Sequence, residues 1–270
     1  MKNDIVLNEG QNLEVAAGQN QRSLVDYDVY IMSFKERVLY ILAAAAVLFT
    51  IGFIFYHHII LSMLLTPFAL LYPKIRTKDI IDKRKYELNL QFKDMLYSLS
   101  SSLTTGRSVE SSFKEILKDL AILYPSPETY IIKEVECMVR RIEMNETIEI
   151  ALEDFAKRSH LEDVQNFTDV FQTCKRSGGN LIEVIKNSSN IINDKIEIKE
   201  EINTILSAKK FEQKVLTVMP ILMIVLLSVS SADYMEPIFT LPVGRVVMTI
   251  AIAMILAGYL IANKIMKIKV

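Results

Sequence analysis

The sequence predicts an all-α protein in which two pairs of membrane-crossing helices flank a soluble helical bundle. Three observations predict it. Long stretches near both ends carry no Asp, Glu, Lys or Arg, namely Val38–Pro73, Val215–Ala232 and Val246–Asn263. The block between them is highly charged, and its apolar residues recur at helical spacing. Gly and Pro are scarce, at 8 and 7 residues in 270, and Trp is absent, which disfavours a turn-dense, sheet-rich fold.

A spanning helix needs roughly 20 apolar residues, so the first uncharged stretch is long enough for two crossings and each later one fits a single crossing. The expected organisation is a polar tail (1–36), a first hairpin (37–73), a helical domain (74–214), a second hairpin (215–263) and a basic end (264–270). No cleavable leader is visible in the polar opening residues. The first crossing is expected to serve as the insertion signal. The tail reads as solvated, although Leu24–Ile31 is apolar enough to dock on something.

Lys and Arg in short flanks mark the cytoplasmic side. Lys35 and Arg37 precede the first crossing, and Lys74, Arg76, Lys78, Lys83, Arg84 and Lys85 follow the second. Lys209, Lys210 and Lys214 precede the third, and Lys264, Lys267 and Lys269 follow the fourth. The turn at Tyr56-His57-His58 has no basic residue, and the loop Asp233–Arg245 has only Arg245. Both termini and the central domain are therefore expected in the cytoplasm of a multi-pass cell-membrane protein. The second crossing, Ile59–Tyr72, reads as short. Pro67 and Pro220 lie inside crossings, where proline bends a helix.

Within the block, Leu88, Phe92, Met95, Leu96, Leu99 and Leu103 form one stripe, and Val109, Phe113, Ile116, Leu117 and Leu120 a second. Ile131, Val135, Met138, Val139 and Ile142 form a third, Ile148, Leu152, Phe155 and Ala156 a fourth, and Leu161, Val164, Phe167, Phe171 and Cys174 a fifth. Ser126-Pro127-Glu128 reads as a helix start, Thr105-Gly106 and Ser177-Gly178-Gly179 as helix ends, and Asn180 with Glu183 as a capping pair. No breaker follows Asn180 until Pro220, which predicts one helix running from Leu181 into the third crossing. Three helix openings echo one another: Gly106–Glu110, Asn145–Glu149 and Gly179–Glu183.

The composition excludes several functions. Residues 74–214 hold 23 of the 31 basic and 24 of the 32 acidic residues, a balance unsuited to nucleic acid. No phosphate-cradling glycine loop and no paired Cys or His spacing is present, so no cofactor or metal site is expected. Cys137 and Cys174 read as reduced, packed thiols. His57 and His58 read as hairpin-tip residues, with metal ligation or pH sensing as the other readings. His160 lacks an identifiable catalytic partner, so no catalytic residue is assigned and the chain is not expected to be an enzyme.

The segment Phe171-Gln172-Thr173-Cys174-Lys175-Arg176-Ser177-Gly178-Gly179-Asn180-Leu181-Ile182-Glu183-Val184-Ile185 resembles the Gly-Gly-x-Leu signature of the type II secretion F domain. Leu103-Thr104-Thr105-Gly106-Arg107-Ser108-Val109 resembles that family's first helix-turn-helix, and Glu146–Leu152 its middle element, with Asn145 where glycine is frequent. The resemblance covers roughly Tyr86–Leu227. One such domain between two hairpins is similar to the tight-adherence (Tad, or Flp) pilus assembly membrane proteins.

This resemblance implies a platform for pilus assembly or type II-like secretion. It would couple a hexameric secretion ATPase to pilin subunits within the lipid bilayer, alongside a related single-F-domain protein or further copies of itself. The turn residues Gly106, Ser108, Gly178, Gly179 and Leu181 are the candidates for setting its geometry. Arg140, Arg141, Lys175 and Arg176 are candidate docking charges or, alternatively, a solvated surface. The rival reading is a non-catalytic membrane signalling or adaptor protein.

Overall fold

A computed structural model describes residues 25–266. The first 24 residues of the expected tail, and the terminal residues with Lys267 and Lys269, lie outside the described residues. Every regular element among the described residues is helical. Four helices are long and apolar enough to cross a membrane.

The first apolar helix, α1 (Phe34–Tyr56), begins at Ser33, whose side chain and that of Glu36 complete a capping box. It ends where His57 turns left-handed at φ 46°, and α2 (Ile59–Leu65) follows. The chain then tightens into a 3-10 segment, Thr66–Leu71, which contains Pro67, and continues as α3 (Tyr72–Thr104). Proline supplies no amide donor and crowds the preceding turn, which accounts for the change of winding there. The second apolar stretch is therefore not a short isolated crossing. It feeds directly into a 33-residue helix.

The bundle is built from α3, α4 (Val109–Leu123), α5 (Tyr130–Glu143), α6 (Ile148–Ser159), α7 (Glu162–Ser177) and the first half of α8 (Leu181–Ser230). These helices run alternately away from and back toward the apolar end. One pole thus gathers the turns at residues 105–108, 144–147 and 178–180, far from the hairpins. The near pole gathers those at 124–129 and 160–161. The core includes Leu88, Phe92, Met95, Phe113, Ile116, Val135, Leu152, Phe155, Phe167 and Phe171, all essentially inaccessible to solvent. Each of the five predicted stripes faces this core.

One expected helix start differs from the structure. Ser126-Pro127-Glu128 does not open a helix; α5 begins at Tyr130. Ser126 Oγ accepts from the Glu128 amide, and its carbonyl accepts from the Thr129 amide at 3.1 Å. The short polar side chain thus supports a turn in place of a helix cap. In the tail, residues 25–30 dock on the near pole with Tyr27 1% exposed, the reading left open for Leu24–Ile31, while Ile31 is 88% exposed.

The α8 helix runs for 50 residues with Pro220 inside it, about 75 Å at 1.5 Å per residue. Its apolar half meets α9 (Ala232–Thr240) and α10 (Pro242–Met266). The expected loop Asp233–Arg245 is mostly helix, and Arg245 lies in the first turns of α10. The hairpins touch through Phe55, Tyr56, Met235 and Met248, and the Tyr56 hydroxyl lies 2.8 Å from Thr249 Oγ1. Gly244 permits the α9–α10 corner, since a Cβ there would lie 2.3 Å from the Ile238 carbonyl oxygen. The helix expected to run from Leu181 into the third crossing is present as α8, and α3 likewise runs on past residues 73 and 74.

Candidate functional site

The far pole brings together the three helix openings that echo one another in the sequence. In the first turn Gly106 takes φ +83°, a conformation glycine adopts without a Cβ clash. Ser108 then caps α4, accepting from the Ser111 amide at 3.2 Å. Replacing Ser108 with alanine is expected to weaken the start of α4 by about 1 kcal/mol. Amide hydrogen exchange over residues 109–112 in the full chain checks this.

The second and third turns share one backbone solution. Asn145 takes φ +63°, and the next amide, that of Glu146, donates to the Arg141 carbonyl at 2.9 Å. Gly178 takes φ +71°, and the Gly179 amide donates to the Cys174 carbonyl at 2.9 Å. Both close helices with a left-handed residue followed by an amide that reaches back five positions. Asparagine tolerates this region better than other residues with a Cβ, so Asn145 does the work of a glycine. Gly179 answers a different need: a Cβ there would lie 2.9 Å from Cys174 Sγ. Asn180 caps α8, accepting from the Glu183 amide at 3.3 Å, and Leu181 is the first residue of that helix.

Ion pairs bind these turns to one another. Lys175, in the last turn of α7, lies 2.9 Å from Glu149 and 3.6 Å from Glu110. Those are the first-turn acids of α6 and α4, where a negative charge also suits the helix dipole. Burial opposes the Glu149 charge, but the hydrogen bond and attraction of Lys175 outweigh it and hold the carboxyl below its ordinary range. Arg141 lies 3.7 Å from Glu146 and 3.3 Å from Asp154. Arg107 pairs with Glu115 at 2.9 Å, and Lys114 with Glu143 at 3.0 Å.

The four candidate docking charges therefore divide. Arg141 and Lys175 are engaged inside the pole. Arg140 is exposed and, among the described residues, forms an ion pair only with Glu136, one helical turn away. Arg176 is exposed and makes no ion pair among the described residues. Met144, 78% exposed at the tip of the middle turn, is a large apolar side chain at this pole that sequence reasoning did not single out. A lone methionine interrupting no pattern gives no signal in the sequence.

Elsewhere, the His57 ring lies against Phe239 in a tilted arrangement, with centroids 4.1 Å apart. His160 ends α6 in a left-handed conformation and lies 3.2 Å from Asp26. Both cysteines are free, and burial raises the Cys137 thiol. Among the described residues no group of three or more His, Cys, Asp or Glu is arranged to hold a metal.

The far pole is thus a rigid, charge-laced surface with an apolar tip, connected to the apolar helices by α3 and α8. No curated protein and no solved structure matches the chain. A family model described as "Type II secretion system (T2SS), protein F" matches residues 92–229, a range that contains all three far-pole turns and all of α8 but its last residue. That match spans more than half of the sequence, and with the four apolar helices it shows that the chain is a multi-pass membrane protein of the type II secretion system protein F family, whose members are platform proteins working with secretion ATPases and pilins.

Proposed function

We propose that this chain is a platform for assembling a Tad (Flp)-type pilus or a related type II-like secretion filament. Its bundle and both termini face the cytoplasm. The far pole receives a hexameric secretion ATPase, the hairpins guide pilin subunits out of the bilayer, and the chain works beside a related single-F-domain protein or further copies of itself.

The observation that carries this reading is the continuity of α3 and α8. Each leads from the far pole into an apolar segment through helical backbone, α8 directly and α3 by way of the 3-10 segment Thr66–Leu71. A load applied at the pole is delivered to the hairpins through helix and not through flexible linker. The far-pole contacts in this reading are Arg140, Arg176 and Met144, and Gly106, Ser108, Gly178, Gly179 and Leu181 hold the turns that present them. Pro67 and Pro220 mark where the two connecting segments bend. Basic flanks at every bundle-side end of the crossings support the orientation.

The test is co-purification of the full chain with a hexameric secretion ATPase from the same genome. Arg176→Glu combined with Met144→Asp is expected to reduce capture at least tenfold without changing the amount of chain in the membrane. Gly178→Val places a β-branched residue at positive φ, a strain of roughly 1–3 kcal/mol. It is expected to cripple filament assembly while insertion proceeds. Undiminished capture and full piliation in both variants would defeat the proposal.

A further inference from the structure

Residues 25–33, which lie outside the family match, carry no regular secondary structure apart from a turn, yet they hold one of the most completely buried side chains in the protein. The Tyr27 ring enters the near pole and meets Tyr130 edge-on, with centroids 5.6 Å apart. Its hydroxyl donates to Glu134 Oε1 at 2.9 Å. Glu134 is itself 2% exposed, and both its oxygens accept from Arg158, at 2.8 and 2.7 Å. The Tyr27 amide donates to the Arg158 carbonyl at 3.0 Å.

The neighbours of Tyr27 complement charges on the bundle. Asp26 faces His160, and Asp28 accepts from Lys85. Further along, the Arg84 guanidinium donates to the Val29 carbonyl and lies over the Tyr30 ring, 5.3 Å from its centroid. The pattern is an aromatic anchor in a desolvated pocket with a polar rim, as in peptide recognition.

The charge pairing that lines the pocket is made within the bundle. The bidentate Glu134–Arg158 pair joins α5 to α6, and Asp154, one turn earlier on α6, lies 2.9 Å from Arg158. With the segment removed these charges keep each other as partners, although the Tyr27 ring packs into the bundle's core and its amide serves the Arg158 carbonyl.

We infer that the near pole carries a binding site for an acidic peptide centred on tyrosine, Asp-Tyr-Asp, occupied in cis by Asp26–Asp28. Tyr27 lies seven residues before Phe34, where α1 begins. Occupancy therefore fastens the first apolar hairpin to the bundle by a contact that is non-covalent and can be vacated.

The test uses the full chain in lipid nanodiscs and a fluorescent, acetylated peptide of residues 25–32. Tyr27→Ala is expected to bind the peptide saturably. The unaltered chain is expected to bind it at least tenfold more weakly, because the tethered segment competes at a high effective concentration. A peptide with alanine in place of its first tyrosine is expected to lose at least tenfold in affinity. Hydrogen exchange of residues 25–33 is expected to accelerate at least tenfold in Tyr27→Ala while α5 and α6 stay protected.

Equal binding to both chains, or to neither, overturns the inference. So does loss of α5 and α6 protection together with the segment, since the segment would then be an integral part of the core. Tyr27→Phe keeps the ring and removes only the hydroxyl, so it preserves packing. It is expected to bind the peptide between the two limits, and behaviour identical to Tyr27→Ala overturns the assigned role of the ring.

Discussion

Replacing Arg158 with alanine is expected to lower the opening free energy of the bundle by about 3–5 kcal/mol. Its guanidinium supplies two of the three hydrogen bonds to a carboxylate that is 2% exposed, the third coming from the Tyr27 hydroxyl, so its loss leaves the Glu134 charge away from water without its cationic partner. Burial opposes the Arg158 charge, but the hydrogen bonds and attraction of Glu134 and Asp154 outweigh that and hold its pKa above the usual value. Burial and Glu134 likewise hold the Tyr27 phenol above its ordinary pKa of 10.0. A group whose folded pKa is raised contributes stability that is present below its unfolded value and is lost as pH rises through the folded one. The Tyr27 contribution is therefore complete at neutral pH and fades only in strong alkali. Native-state hydrogen exchange of α5 and α6 measures the effect. The combination Glu134→Leu, Arg158→Met and Tyr27→Phe is expected to recover most of the loss, because replacing a whole buried polar cluster by apolar residues leaves no orphaned charge. Failure of the combination to recover would show that shape, not charge pairing, dominates there.

Phe92→Ala is expected to cost a similar amount, about 3–5 kcal/mol, through a different mechanism. Phe92 is fully buried on α3, with ring centroids 6.0 Å from Phe155 of α6 and 5.6 Å from Phe167 of α7. Truncation removes the aromatic contact between three helices and leaves a cavity that rigid neighbours fill poorly. The apolar hairpins do not touch this position, so the chain should still partition with membranes while the bundle's thermal transition falls. An unchanged transition would mean that the bundle repacks around the gap.

The core was legible in the sequence because burial follows helical periodicity. The stripe from Leu88 to Leu103 is the buried face of α3, and the other four stripes behave alike. Gly106 and Gly178 were legible because only a few residue types accept positive φ, and such residues concentrate at helix ends. Tyr27 was not: a single aromatic residue in a polar tail has no period to betray it. Glu134 was hidden for a related reason. It looks like any glutamate on a helix, and its partner Arg158 lies 24 positions away on the next helix. The pairing of Lys175 with Glu149 and Glu110 is equally a product of tertiary placement. The misread start at Ser126 shows the opposite failure, in which capping residues were recognised correctly but served a turn.

The bundle is joined to the apolar helices at its near pole in three places: through α3, through α8, and through the docked Tyr27 segment that leads into α1. A head carried on one stalk swivels freely, whereas a head carried on three cannot turn without twisting its supports about one another. A torque applied to the far pole would accordingly be stored as torsion among α1, α3 and α8, and vacating the Tyr27 socket would leave two supports and a softer spring.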